Sequence, residues 1–315
     1  MSEAKKKRTK YRTTNWKAYN AALKARGALT MWLDRDMQWL AAPSGKRWRR
    51  QSFSDAAIQF CLSIKCLFGQ ALRQTLGLVE SLLRLAGLDW PAPDYSTVCR
   101  RQKTLQVQIG YRPGAQPLQL LVNSTGVKFL GEGEWKRNKH GAEYRREWRK
   151  VHLGIDAQTL EIRVVEVTSN AIGDAPMLPE LLALTIAPDE AVASVTADGA
   201  DDTLACQDAI AQRGAVVVIA PRRSARFWRR FSPGSESRNE AVRACRRLDT
   251  SIWKTWSGYR RSLVETKMHC LKRLGERVTA RTFERQVVEL HVRVAVLNRF
   301  SQIGRPQTVP VGAVA

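Results

Sequence analysis

The chain has 315 residues, a formal net charge of +23, 44% hydrophobic residues and 26% charged residues. That is length for one large domain or two ordinary ones and apolar content for a buried core, which argues against global disorder. The longest unbroken apolar run is Ala215–Ala220, far short of the roughly 20 residues that cross a bilayer as a helix. Met1–Lys10 is basic with no apolar stretch behind it, unlike a secretory signal. The six cysteines form no Cys-x-x-Cys pair and no histidines group with them. They read as reduced thiols of a cytoplasmic protein, not as a zinc site or a disulfide framework. A pI near 10.4 points to a polyanionic partner.

Residues 1–14 carry six basic residues and one acid and read as a disordered basic arm. Residues 15–110 read as a helical domain. Within it Ser54–Gly69 sets Ala57, Ile58, Cys61, Ile64, Lys65 and Leu67 near helical spacing, with Ser54 as N-cap. Gln70–Ala86 repeats the pattern, the Gly and Pro residues of 87–93 break it, and a short helix follows over Asp94–Arg101. Helix, break and a short helix bearing Tyr95, Ser96, Arg100 and Arg101 resembles a helix-turn-helix, and those four side chains are candidates to touch DNA. A plain packing pair of helices is the alternative.

From Leu118 the period changes. Leu118–Phe129, Val151–Asp156 and Glu161–Thr168 read as strands. Asp174–Ile186 reads as a helix capped by Asp174, Ala191–Ala197 as a strand, Asp202–Arg213 as a helix and Ala215–Ala220 as a buried strand. The sum is a mixed α/β sheet. Residues 222–254 interrupt it as an Arg-rich insertion. Nine arginines stand against two acids between 222 and 247, with Phe227, Trp228 and Phe231 interleaved. That mixture suits phosphate contact with base stacking. Arg222, Arg223, Arg226 and Trp228 are its candidate DNA contacts. A last helical block runs from Ser262 to about Phe300, and 305–315 reads as a loose tail.

Three positions carry the candidate chemistry. Arg261, Glu265 and Lys272 are spaced by four and seven, which places them on one helical face. Glu265 suits a metal, and Arg261 and Lys272 suit DNA phosphates; a surface salt-bridge series would look the same. Asp198 follows a buried strand, where ligand crevices of α/β sheets open. Asn123 is a polar residue inside the apolar strand Leu120–Gly126, a placement that needs a reason. Three carboxylates at such positions can hold two Mg²⁺ ions for attack on a phosphodiester, but the first position here is Asn.

These residues lie among others that together resemble the insertion-sequence transposases of the DDE type, family five, in the branch near insertion sequence nine-hundred-and-three. The resemblance covers nearly the whole chain. It rests on Thr14-Asn15-Trp16, Arg26-Gly27, Pro93-Asp94-Tyr95-Ser96, Gly131-Glu132-Gly133-Glu134-Trp135-Lys136, Lys139-His140-Gly141-Ala142-Glu143, Trp148-Arg149-Lys150, Ala197-Asp198-Gly199-Ala200 and Tyr259-x-Arg261-x-x-x-Glu265 with Lys272. It implies a ribonuclease H-like mixed-sheet catalytic core over 118–221 and 255–304, behind the N-terminal helix-turn-helix-like domain. It also implies Mg-dependent end cleavage and strand transfer on terminal inverted repeats, with double-stranded DNA as partner and a homodimer or larger assembly. Asn123, Asp198 and Glu265 then take the catalytic and metal positions. Tyr259, Arg261 and Lys272 lie beside the cut DNA, and Lys136, Arg137, Lys139 and His140 touch DNA from the connection between the first two strands.

The sequence departs from that pattern in places. The signature aromatic sits one place late, at Tyr259, with Gly258 in its slot. Asp201 stands where relatives tend to have an aromatic and Ala220 where they tend to have Pro. Asn123 offers a neutral carbonyl in place of a charge that offsets Mg²⁺, so metal binding is expected to be badly weakened and strand cleavage nearly abolished in the chain as it stands. A non-catalytic DNA-binding protein is the rival reading. An RNA-binding protein is a weaker one, lacking any known RNA motif.

Overall fold

The computed structural model describes residues 11–43, 51–129 and 148–311. Helix α1 (Trp16–Arg26) is followed by α2 (Asp55–Phe68), α3 (Leu72–Leu85) and α4 (Tyr95–Arg101). The local chemistry sets the ends of α2: Ser54 Oγ accepts from the Ala57 N–H at 3.1 Å, and Gly69 closes the helix at φ 62°, the left-handed turn that glycine adopts without steric cost. Ala57, Ile58, Cys61 and Ile64 are buried as their spacing predicts. Lys65 is not part of that apolar stripe; its Nζ turns to Thr279 Oγ1 at 2.7 Å and to Glu289 at 3.8 Å. Asp94 caps α4 through the Ser96 N–H.

The sheet is built from β2 (Leu118–Phe129), β3 (Arg149–Asp156), β4 (Ile162–Ser169), β5 (Val192–Ala197) and β6 (Val216–Ile219). Its order is β4-β3-β2-β5-β6. The first three strands run antiparallel as a meander, and β5 and β6 lie parallel to β2. The parallel half requires crossovers, supplied by α5 (Met177–Thr185) and α6 (Leu204–Gln212). One face of the sheet packs Leu120, Val122, Val195 and Ile219 against Leu178, Leu182, Cys206 and Ile210 of those helices. The other packs Leu121, Leu153 and Ile155 against α9 (Arg261–Arg273) and α10 (Phe283–Ile303).

Helix α10 joins the two halves of the molecule. Its Val288 and Val292 belong to the core of α2–α4, while Leu290, Val294 and Leu297 belong to the sheet's core. It also satisfies an edge. Asn298 is fully buried; its Oδ1 accepts from Ile162 N–H at 2.7 Å and its Nδ2 donates to Ile162 O at 2.8 Å. Strand β4 thus has polar backbone groups answered by a side chain at an edge where, among the described residues, no further strand pairs.

Several expectations are corrected. Asp174 does not cap the following helix, which starts at Met177 with Pro176 in the cap position; its carboxylate turns to Lys150 instead. The next helix is capped by Thr203 through Cys206 N–H, and Asp202 is buried against Arg238. The insertion contains α7 (Pro233–Leu248) and α8 (Thr250–Trp256). The block from 262 to 300 is two helices, broken at Gly275 by the short strand β7 (Arg277–Val278), which pairs with the end of β2. Finally, β1 (Tyr11–Thr13) and β8 (Thr308–Pro310) pair antiparallel, so parts of the basic arm and the tail are ordered against each other.

Candidate active site

Strands β2 and β5 place the first two candidate residues. Their parallel register pairs Leu120 with Val195 and Leu121 with Thr196. Carried two residues further, it brings Asn123 level with Asp198 just past the end of β5. Both line one small polar pocket of about 20 Å³, room for about one water molecule. Asn123 is half-buried, and its Oδ1 accepts from the Ser124 N–H at 2.8 Å. Asp198 begins a helical turn over 199–201, with its Oδ1 accepting from Gly199 N–H at 2.7 Å. Asp201 closes the turn reciprocally, accepting from the Asp198 N–H at 3.2 Å. Gly199 suits this close approach, since a Cβ would meet the Ala220 carbonyl at a tight 3.2 Å.

Helix α9 brings Glu265. Its first-turn Arg261 lies between the two acids, Nη1 at 3.0 Å from Asp198 Oδ1 and Nε at 3.3 Å from Glu265 Oε1. The three side chains are partly open to solvent, at 30% for Arg261, 38% for Asp198 and 53% for Glu265. Arg261 therefore bridges the acids. Tyr259 is half-buried beside Trp253 with Lys254 over its ring at 5.1 Å; burial raises its hydroxyl pKa and Arg261 partly opposes that. Lys272 is half-buried on the same helix.

The pocket also holds residues that the sequence reading did not select. Asp174 and Asp201 line it with His152 and Ser124. Lys150 reaches Asp174 Oδ1 at 2.9 Å, and His152 Nδ1 stands 3.5 Å away. Burial pushes the Asp174 pKa up, but hydrogen bonds from Ser124 and Lys150 outweigh it and hold this carboxylate below its usual range. Asp201 goes the other way: burial first, then the Asp174 charge, raise it to about 6. Buried His152 is lowered to about 4, with Lys150 adding and Asp174 opposing. Its Nε2 lies 3.0 Å from Thr168 Oγ1, so it is a neutral, packed ring at neutral pH. Asp201 had a detectable signal, the three-residue spacing of a reciprocal cap. Asp174 had none, because an acid just before a Pro-led helix reads as a cap.

Magnesium is what the resemblance implies at this place, and the residues as they stand do not fit it. Among the described residues no three Asp, Glu, His or Cys side chains group to hold a metal. Asn123 brings no charge and its oxygen already accepts from the Ser124 N–H, while the single Arg261 cation offsets one of the two charges of Asp198 and Glu265.

Two family models, each described as a transposase DDE domain, match this chain over residues 24–132 and 90–299. The second spans two-thirds of it and contains Asn123, Asp198 and Glu265. The chain belongs to the transposase DDE domain family. The mixed sheet with its covering helices is accordingly the ribonuclease H-like core of such a transposase, preceded by a helical region.

The transposase's other candidate residues are scattered. Arg222 turns inward onto the acid-bearing turn, donating to Gly199 O at 3.0 Å and Ala200 O at 3.1 Å. Arg223 and Arg226 are exposed. Trp228 is half-buried under the Arg238 guanidinium, 4.2 Å from its ring centroid, and clamped through both backbone polar groups by Asn239. Phe231 nearby is wholly exposed. In α4, Arg73 covers Tyr95 at 3.8 Å, Ser96 is held by Asp94, Arg100 reaches Ser96 Oγ at 3.4 Å, and Arg101 is tied to Phe53 O and Asp55. Lys136, Arg137, Lys139 and His140 lie outside the described residues. Among the described residues no helix is long and apolar enough to cross a membrane.

Proposed function

We propose that this transposase belongs to insertion-sequence family five and binds the terminal inverted repeats of its element as a dimer or larger assembly. In an active form it would cut the ends and join them to target DNA, in the nucleoid of a bacterial cytoplasm. The observation that carries this reading is the approach of the three separated positions: Asn123 and Asp198 share one pocket, and Arg261 ties Asp198 to Glu265. In end cleavage a water oxygen bonds to phosphorus as the P–O3′ bond breaks, and the departing 3′ oxygen takes up a proton to become a 3′-hydroxyl; in strand transfer that 3′-hydroxyl attacks a target phosphorus, giving up its proton as a target 3′ oxygen leaves and is protonated. In a form with an acid restored at position 123, divalent metal ions held with Asp198 and Glu265 would supply the electrophilic assistance. The protein's own part is to hold carboxylates at the scissile phosphate and cations on the flanking backbone. Arg261 and Lys272 suit the flanking phosphates, and the exposed arginines 223, 226, 229 and 230 extend the basic surface. Phe231 is a better stacking side chain than Trp228, whose ring Arg238 already covers.

Asn123 favours a second reading, a DNA-binding protein that no longer cuts. Its neutral side chain is held by Ser124, and Arg261 is paired with both remaining acids. Both readings need sequence-specific duplex binding. Gel-shift competition with terminal-repeat duplex, scrambled duplex and RNA tests this at fixed salt, because salt dependence alone is common to all polyanion binders. Preference for the repeat duplex is the expected result. Equal competition by RNA would remove both readings.

A further inference from the structure

Behind the helix that carries Glu265 lies a cavity of about 610 Å³, within the usual size range of small-molecule sites. Helices α1, α9 and α10 and the chain just after α10 form it. Leu263, Leu274, Leu297 and Phe300 make its walls apolar. Among the described residues its charged lining is all of one sign, with Arg26, Lys267, Arg273 and Arg305 and no carboxylate.

Neutral groups hold these cations in place. Lys267 Nζ donates to Ser301 Oγ at 2.9 Å. Arg26 donates to the carbonyls of Phe300 at 3.2 Å and Gly304 at 2.6 Å, while its Nε is buried without a hydrogen-bond partner. Arg305 donates to the Gln158 carbonyl. Burial lowers the Lys267 pKa to about 8. Glu161, a carboxylate whose charge reaches Lys267, stands outside the lining and already accepts from Arg112 N–H and Gln302. Like charges gathered where water is scarce repel, and an anion among them relieves that cost. A bare inorganic anion would waste the apolar walls, and a neutral apolar molecule would leave the charges unanswered.

We propose that this cavity is an effector site for a small anion that carries an apolar chain or a flat aromatic ring, a fatty carboxylate or a nucleoside monophosphate, its head among Arg26, Lys267 and Arg305. Leu263, Thr266, Lys267, Cys270 and Leu274 recur at helical spacing and give the cavity one face of α9. Arg261 and Glu265 stand on the opposite face. An occupant therefore braces the helix on which the candidate catalytic Glu265 rides.

Titration calorimetry on the full chain tests this, with decanoate, adenosine monophosphate and decyltrimethylammonium as probes. One anion per chain is expected, with the ammonium analogue at least about tenfold weaker. Lys267→Met should weaken anion binding by at least about tenfold, and Cys270→Phe, which fills the space, should abolish it. Decanoate binding without the nucleotide assigns the fatty source, and the reverse assigns the nucleotide. Arg305→Gln replaces Lys267→Met if that variant loses the parent's melting transition. Several anions per chain, equal binding of the ammonium analogue, parental affinity in a folded variant, or no binding of either anion at millimolar concentration would overturn the proposal.

Discussion

Two Arg–Asp pairs lie close together in this transposase and are built for different ends. Arg238 grips Asp202 with both contacts at 3.1 Å, and the two side chains are only 4% and 1% exposed. Arg261 meets Asp198 at 3.0 Å, but with about a third of each side chain open to water. The acids are four residues apart in sequence. The buried pair itself pins the insertion to the core, and Arg238 also covers Trp228 and donates to Arg226 O within the insertion. It is scaffold, since removing one partner strands a charge out of reach of water. The open pair can part at small cost, as a pair must if its acid is to meet another cation.

Cutting the buried pair gives the largest expected effect. Arg238→Ala should lose about 3–5 kcal/mol of stability, read by denaturant unfolding, and Arg238→Met with Asp202→Leu should recover most of it. A loss no larger than that of a surface pair would erase the contrast. Asn298→Ala comes next, at about 1–3 kcal/mol, because it leaves Ile162 N–H and O buried without partners. Arg261→Gln should cost at most about 1 kcal/mol of stability. In an Asn123→Asp background it should nonetheless lower end cleavage on the order of a hundredfold. A large stability loss with unchanged cleavage would make Arg261 scaffold too.

The smallest effect is a pH dependence. Asp201 is raised to about 6 in the folded chain, so its contribution to stability is full below the ordinary carboxylate range and is lost as pH rises through 6. His152, lowered to about 4, contributes above its ordinary value and loses that contribution as pH falls toward 4. The two oppose each other between about pH 4 and 6.5. Asp201→Asn should therefore improve in stability relative to the parent as pH rises across that window. A constant difference would mean Asp201 titrates as an ordinary surface acid.

Much of the sheet was legible because its strands are apolar and bounded by turns. Strand β2 has the bounds that its composition predicts, Leu118–Phe129. Spacing and resemblance single out Asn123, Asp198 and Glu265, and the family match supports the class of enzyme. What pattern could not reveal was side-chain direction. Asp174 fits a helix cap in sequence, yet Lys150 on a neighbouring strand draws its carboxylate into the pocket. Asp202 stands at the start of a predicted helix and is a buried counter-ion, because Arg238 comes from a helix 36 residues on. The break at Gly275 was hidden between two good helical runs, where only pairing of Arg277 and Val278 with β2 distinguishes a strand.

The central claim is that Asn123, level with Asp198, is the missing acid of a transposase site. The most direct test is an end-cleavage and strand-transfer assay in Mg²⁺ on DNA carrying terminal repeats, comparing the chain with its Asn123→Asp form. The account predicts cutting and joining by the Asp form alone, lost again when Asp198→Ala or Glu265→Ala is added. Efficient cutting by the unaltered chain, or cutting by the Asp form that survives loss of Asp198, would contradict it.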